Sequence, residues 1–155
     1  MATLGGCTRS EMDPAVTRNE EHAQAIEALR EAYAAFNRGD VDSAVQSLDP
    51  QIEWIEPAEF PGGGTYHGRE EAKRYLAQSR AAWAEVISEP VEFIPVDNRI
   101  VVFVHARVRP KDKNEWQAVD LADVYTFQNG KATSMRAFTN RQDALAWSGI
   151  KPKGH

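Results

Sequence analysis

Two acidic residues stand in apolar company. From Val119 to Phe127, the alternate positions Val119, Leu121, Asp123, Tyr125 and Phe127 would share one face of a strand, with a carboxylate in the middle of an apolar row. A carboxyl group buried without a partner disfavours its own charge and responds by raising its pKa. The alternative is an edge position in which Asp123 faces water. Glu56 ends a second row, Ile52, Trp54, Glu56, near the rim of the same core. Its alternative is a strand-end glutamate turned to solvent, because glutamate is rarely fully buried. Two carboxylates in one apolar setting could serve as general acid and general base.

His105 and Arg107 alternate with Val102, Val104 and Ala106 along a further stretch, and the hairpin register decides which set looks inward. If Phe103 opposes Asp123, His105 and Arg107 enter the pocket, to move a proton or hold an anion; a slip of one residue sends both outside. Tyr33, Phe36, Phe60, Tyr66, Trp83 and Phe93 supply aromatic area that either lines a cavity or is plain core. Phe60 and Tyr66 flank Gly62, Gly63 and Gly64 and could act as a lid. That glycine run lacks the spacing of a dinucleotide cradle. His67 and Glu70 lie three apart with no further ligand to complete a set, so no metal is expected. No nucleophile elbow occurs, and the single cysteine, Cys7, falls in the leading segment, so covalent catalysis and cofactors have no candidate.

Something must position these groups. Residues 1–16 show no apolar periodicity and read as a tail. Thr17 and Glu20 have capping-box spacing, and Ile26, Leu29, Tyr33 and Phe36 recur at helical intervals up to a stop at Gly39. Asp40 caps a short second helix carrying Ala44, Val45 and Leu48, closed by Asp49-Pro50. A strand follows over residues 52–56, then a loop from Phe60 to Gly68. A third helix from about Arg69 buries Ala72, Leu76, Ser79 and Trp83. Strands are predicted over 86–96, 99–109, 116–128 and 131–139, with turns at Asp97-Asn98 and Asn129-Gly130, and a last helix over 142–147 stops at Gly149. Helices followed by a meander of long strands predict an α+β domain whose helices cover one face of a curved sheet.

Composition narrows the classes. The chain has 155 residues and a formal net charge of -5, from 18 basic and 23 acidic residues with no dense Lys/Arg cluster, so it lacks the footprint of a nucleic-acid binder. No apolar run approaches the length of a membrane span. Leu4-Gly5-Gly6-Cys7 lacks the charged start and apolar run of a signal peptide, and the single cysteine excludes an internal disulfide framework. A soluble cytoplasmic protein is expected.

The strings 33–42 (YAAFNRGDVD), Trp54-Ile55-Glu56-Pro57, 60–64 (FPGGG), 67–71 (HGREE), 123–131 (DVYTFQNGK) and 141–145 (RQDAL), in this order and spacing, resemble the SnoaL-like branch of the nuclear-transport-factor-2-like superfamily. The resemblance runs from about residue 22 to Ile150. It implies a cone-shaped, curved antiparallel sheet wrapped around helices, the cystatin-like roll, and a superfamily that includes ketosteroid isomerases, polyketide cyclases, epoxide hydrolases and non-enzymatic binders. By correspondence with the isomerases, Glu56 falls at the general base and Asp123 at the acid that donates to an oxyanion, while the oxyanion tyrosine falls at Ala32, one position before Tyr33. In the ketosteroid isomerases that acid is kept neutral by its apolar surroundings. His105 or Arg107 would then supply the missing donor. Met135, Ala137 and Thr139 would line the pocket with Tyr33, Phe36, Trp54, Phe60, Tyr66 and Tyr125. The implied function is a cofactor-independent isomerase or cyclase acting on a small apolar carbonyl compound. The alternatives are a non-catalytic small-molecule binder and a dimeric interaction module, the fold often pairing through its outer sheet face near Phe138.

Overall fold

A computed structural model describes residues 14–150, with side chains from residue 17; Cys7 and the expected tail as far as residue 13 lie outside the described residues. Helix α1 spans Pro14–Asn37, so Thr17 to Glu20 lie inside it and are not its start. Proline suits a first helical turn, where no intrahelical N–H bond is lost. Gly39, at φ 85°, ends the helix with the Asp40 amide bonded to the Ala35 carbonyl at 2.8 Å. Asp40 accepts from the Ser43 amide and starts the single turn α2, Val41–Ala44.

Strand β1, Leu48–Glu56, begins earlier than the apolar alternation predicts. Leu48 and Pro50 belong to it because a bulge between Leu48 and Glu53 accommodates the proline that a regular ladder would reject. The expected loop contains a short strand, β2, Gly64–His67, paired with the end of β1. Helix α3, Arg69–Ala81, ends two residues before Trp83. Strands β3, Glu85–Val96, β4, Arg99–Arg109, β5, Gln117–Gln128, and β6, Lys131–Phe138, form the meander, and α4, Arg141–Trp147, closes the order. Asn129 and Gly130, both with positive φ, make the tight β5–β6 turn.

The six strands run β2-β1-β6-β5-β4-β3. All neighbours are antiparallel except β1 and β6, which the long connection brings together in parallel. One sheet face packs on α1 and α3: Leu29, Ile52, Ile100, Val102 and Met135 make the main core there. On the other face Val101, Phe103, Ala122 and Val124 are covered by α4 through Ala144. Helix α1 is clamped to β3 by the Asn37 amide, which donates to the Ser88 carbonyl and accepts from the Ser88 N–H, both at 2.8 Å. Arg80 of α3 donates to the Phe36 carbonyl at 2.6 Å. These ties fix both helices over the sheet, and a cavity lies between them and the sheet.

Candidate active site

The cavity has a volume of about 490 Å³, within the range of small-molecule sites. The period-2 rows of the strands put its chemistry on one face. On β1 the row ends at Glu56, and on β5 it carries Leu121, Asp123 and Tyr125. Asp123 stands directly opposite Ala137 on β6, while Ile55 pairs with Arg136 on the far side of β6, so Glu56 and Asp123 flank Ala137 at one level. Their backbones are two strand spacings apart, about 10 Å. Ala137, whose side chain is a single methyl, lines the cavity between them.

Around the carboxyls the ring donors are already engaged. The Tyr33 hydroxyl donates to Asp123 Oδ2 at 2.6 Å, and the Tyr125 hydroxyl lies 3.0 Å from that of Tyr33. Because Tyr33 has one proton and directs it at the carboxylate, Tyr125 donates to Tyr33. On the other acid, Trp54 Nε1 donates to Glu56 Oε2 at 2.8 Å, and the Tyr75 hydroxyl lies close enough to the same carboxyl to help support its charge. Tyr33 and Trp54 both meet the Tyr125 ring edge-on, with centroids 6.4 Å apart in each pair. The network is therefore packed as well as bonded.

Burial pushes the Glu56 carboxyl up to about 8; the nearby Asp123 charge adds to the rise, and the Trp54 and Tyr75 hydrogen bonds oppose it. Burial also pushes Asp123 up, to about 6, against the Tyr33 hydrogen bond. Tyr33 and Tyr125 are raised well above the usual phenol range, chiefly by burial. Asp123 therefore ionises first, and Glu56 must ionise against its charge. This is the reverse of the order implied by the isomerase correspondence, because the Asp123 charge adds to the burial that raises Glu56.

Of the residues expected here, Tyr33, Phe36, Trp54, Glu56, Phe60, Asp123, Tyr125 and Ala137 line the cavity. His105 and Arg107 do not. Val102, not Phe103, opposes Asp123, so Val104 and Ala106 face inward, and His105 pairs with Asp120 on the outer face at 2.9 Å. Neither replaces a tyrosine donor; Tyr33 itself reaches the acid. Met135 is buried in the core beneath the lining, and Tyr66 packs on Tyr75 with its hydroxyl bonded to the Gly62 carbonyl. Thr139 is exposed, because β6 ends at Phe138 and the alternation ends with it. Phe93 packs against the core under the Arg30 guanidinium, whereas Trp83 lines the cavity.

The residue that sequence reasoning missed is Tyr75. Ala72, Tyr75, Leu76 and Ser79 fall at i, i+3, i+4 and i+7, the full inward stripe of a helix, of which Tyr75 alone was not expected. Phe60 and Pro61 reach the cavity because two successive turns, Phe60 N–H to the Pro57 carbonyl at 3.1 Å and Gly63 N–H to the Phe60 carbonyl at 2.8 Å, fold the loop inward. A Cβ on Gly63 would stand 2.0 Å from the Pro57 oxygen, so only glycine fits.

A family model described as a SnoaL-like domain matches residues 29–135. The chain belongs to the SnoaL-like family. Among solved structures, this SnoaL-like chain is similar to an NTF2-like protein of unknown function from Burkholderia pseudomallei, at 27% identity and TM-score 0.69, over 79% of this chain and 95% of that one. TerC co-crystallised with polyporic acid is similar at 26% identity and TM-score 0.68, over 81% and 98%. An NTF2-like protein from Burkholderia xenovorans is similar at 29% identity and TM-score 0.63, over 81% and 95%. No curated protein matches. Among the described residues, no helix of this SnoaL-like chain is long and apolar enough to cross a membrane.

Proposed function

We propose that the chain is a cofactor-independent enzyme of the isomerase or cyclase type, using carboxylate acid–base chemistry on a small, largely apolar carbonyl compound. The observation that carries this reading is the pair of carboxyls in one apolar cavity, Asp123 at about 6 and Glu56 at about 8. Between those values the pair bears one charge. Asp123 is then a base and Glu56 an acid in the same enclosure, the arrangement that proton transfer at a carbon next to a carbonyl requires.

In the proposed step the Asp123 carboxylate takes the α-proton. The C–H electron pair becomes the C=C bond of an enolate, and the carbonyl π pair moves to oxygen, which receives a hydrogen bond from protonated Glu56. In a β,γ-unsaturated ketone, return of the proton from Asp123 to the γ-carbon of the dienolate completes an isomerisation; alternatively, the enolate carbon attacks a second carbonyl, whose π pair becomes an alkoxide that takes the proton back from Asp123 and completes a cyclisation. The test is exchange of α-protons of apolar ketones into heavy water, followed by NMR. Exchange with a bell-shaped pH profile, lost in both Glu56→Gln and Asp123→Asn, is the expected result, and unchanged rates in both variants would sink the assignment.

A second reading, a non-catalytic small-molecule binder, draws on the 2.6 Å Tyr33 hydrogen bond, which engages Asp123 before any ligand arrives. That TerC was co-crystallised with polyporic acid is consistent with a ligand-holding role for this fold. A binder would give saturable binding and no exchange. We carry a homodimer forward as part of either reading, checked by light scattering. Phe138 is a poor centre for its interface, since it packs on Trp147 of its own chain at 5.8 Å.

A further inference from the structure

Donors and acceptors are unevenly supplied in the cavity. The acids contribute four carboxyl oxygens, while of the phenol and indole donors beside them Tyr33 and Trp54 are already bonded to those oxygens and Tyr125 to the Tyr33 hydroxyl, with the Tyr75 phenol beside Glu56. Among the described residues, no lysine, arginine or histidine lines the cavity from any element; the titratable groups facing the two acids are Tyr33 on α1, Tyr75 on α3 and Tyr125 on β5. A ligand entering this space meets acceptors and negative charge at one end and elsewhere mainly hydrocarbon, such as Phe36, Leu76 and Val104, with Ser79, Ser88 and Gln117 as uncharged polar groups. Ala137, on the strand between those that carry the two carboxyls, lines the same cavity as both.

We propose that this cavity binds a protonated amine carried on an apolar body, with the ammonium seated over Ala137 between Glu56 and Asp123. An ammonium brings the positive charge that the wall lacks and N–H donors for the carboxyl oxygens, and it offsets the mutual repulsion that keeps both acids from ionising together. An anion of the same shape meets two like charges and no cation. This ligand class goes beyond the carbonyl chemistry proposed above and rests only on the shared cavity, not on turnover.

The experiment is calorimetric titration of the full chain with three isosteric probes: 1-adamantylmethylammonium, 1-adamantylmethanol and 1-adamantanecarboxylate. In weakly alkaline buffer the ammonium should bind at least about tenfold tighter than the alcohol, and the carboxylate more weakly than the alcohol. That preference should shrink near pH 5, where both acids are mostly neutral, while alcohol affinity holds. Glu56→Gln and Asp123→Asn should each reduce ammonium affinity about tenfold and leave the alcohol within about twofold, the alcohol also confirming an intact cavity. Equal or stronger binding of the carboxylate, alcohol binding without an ammonium preference, or no binding of the ammonium would each overturn the proposal. Loss of ammonium preference with proton exchange intact would leave the enzyme reading standing; ammonium binding without exchange would do the converse.

Discussion

Asp120 and Asp123 lie three residues apart on one strand, yet their surroundings treat them oppositely. Asp120 points outward, is exposed and bonds His105 across the ladder; that hydrogen bond holds its carboxyl below the usual range. Asp123 points inward, and burial raises its carboxyl even though Tyr33 donates to it at 2.6 Å. The residue type and the strand are the same. What differs is whether water can share the charge, so a hydrogen bond that dominates on the outer face is only a partial offset on the inner one.

The strongest way to sharpen this contrast is to remove each carboxylate's charge in turn. Asp123→Asn and Glu56→Gln should each slow α-proton exchange about 100-fold or more, the usual weight of a general acid or base. Asp120→Asn, on the outer face, should leave exchange unaltered. Next in size, Ala137→Leu should fill cavity space between the two inner acids and weaken ligand binding about tenfold or more, with near-ultraviolet circular dichroism confirming the fold.

A third variant separates charge from shape. The raised carboxyl of Glu56 stays protonated in the folded chain while its unfolded counterpart is ionised, so its contribution to stability is present at low pH and is lost as pH rises from the usual carboxylate range through about 8. Glu56→Gln keeps the shape and removes the ionisation. Its melting temperature should exceed that of the parent by about 5 °C or more near pH 8.5, and by little near pH 5. Smaller again, Gly63→Ala should displace the wall made by Phe60 and Pro61 and change ligand affinity by about threefold, since its Cβ cannot stay near the Pro57 oxygen. His105→Ala, which breaks only the exposed pair with Asp120, should change neither binding nor exchange measurably.

The two faces also differ in how far the sequence alone reveals them. Asp123 is legible because an acid interrupts an apolar period-2 row, and the helices around it are legible from their 3.6-residue recurrence. Glu56 is ambiguous at a strand end without the family resemblance, since a row of three residues says little about burial. The side on which His105 lies is not legible, because the register depends on the loop before β5 and a shift of one residue exchanges the faces. Pro50 hides the start of β1, since the bulge that admits a proline has no local signature. Tyr33 looks displaced by one position from the place where a donor is expected, yet a tyrosine is long enough for its hydroxyl to reach Asp123 from the neighbouring helical position.

The contrast between the two faces turns on charge state, and carbon-detected NMR titration of the carboxyl groups reads it directly. The proposed ionisation order predicts Asp120 titrating below the usual range, Asp123 near 6 and Glu56 near 8, so that one inner acid is charged and the other neutral around neutral pH. Glu56 and Asp123 both titrating in the usual carboxylate range, near about 4, would contradict it and leave the cavity without its acid.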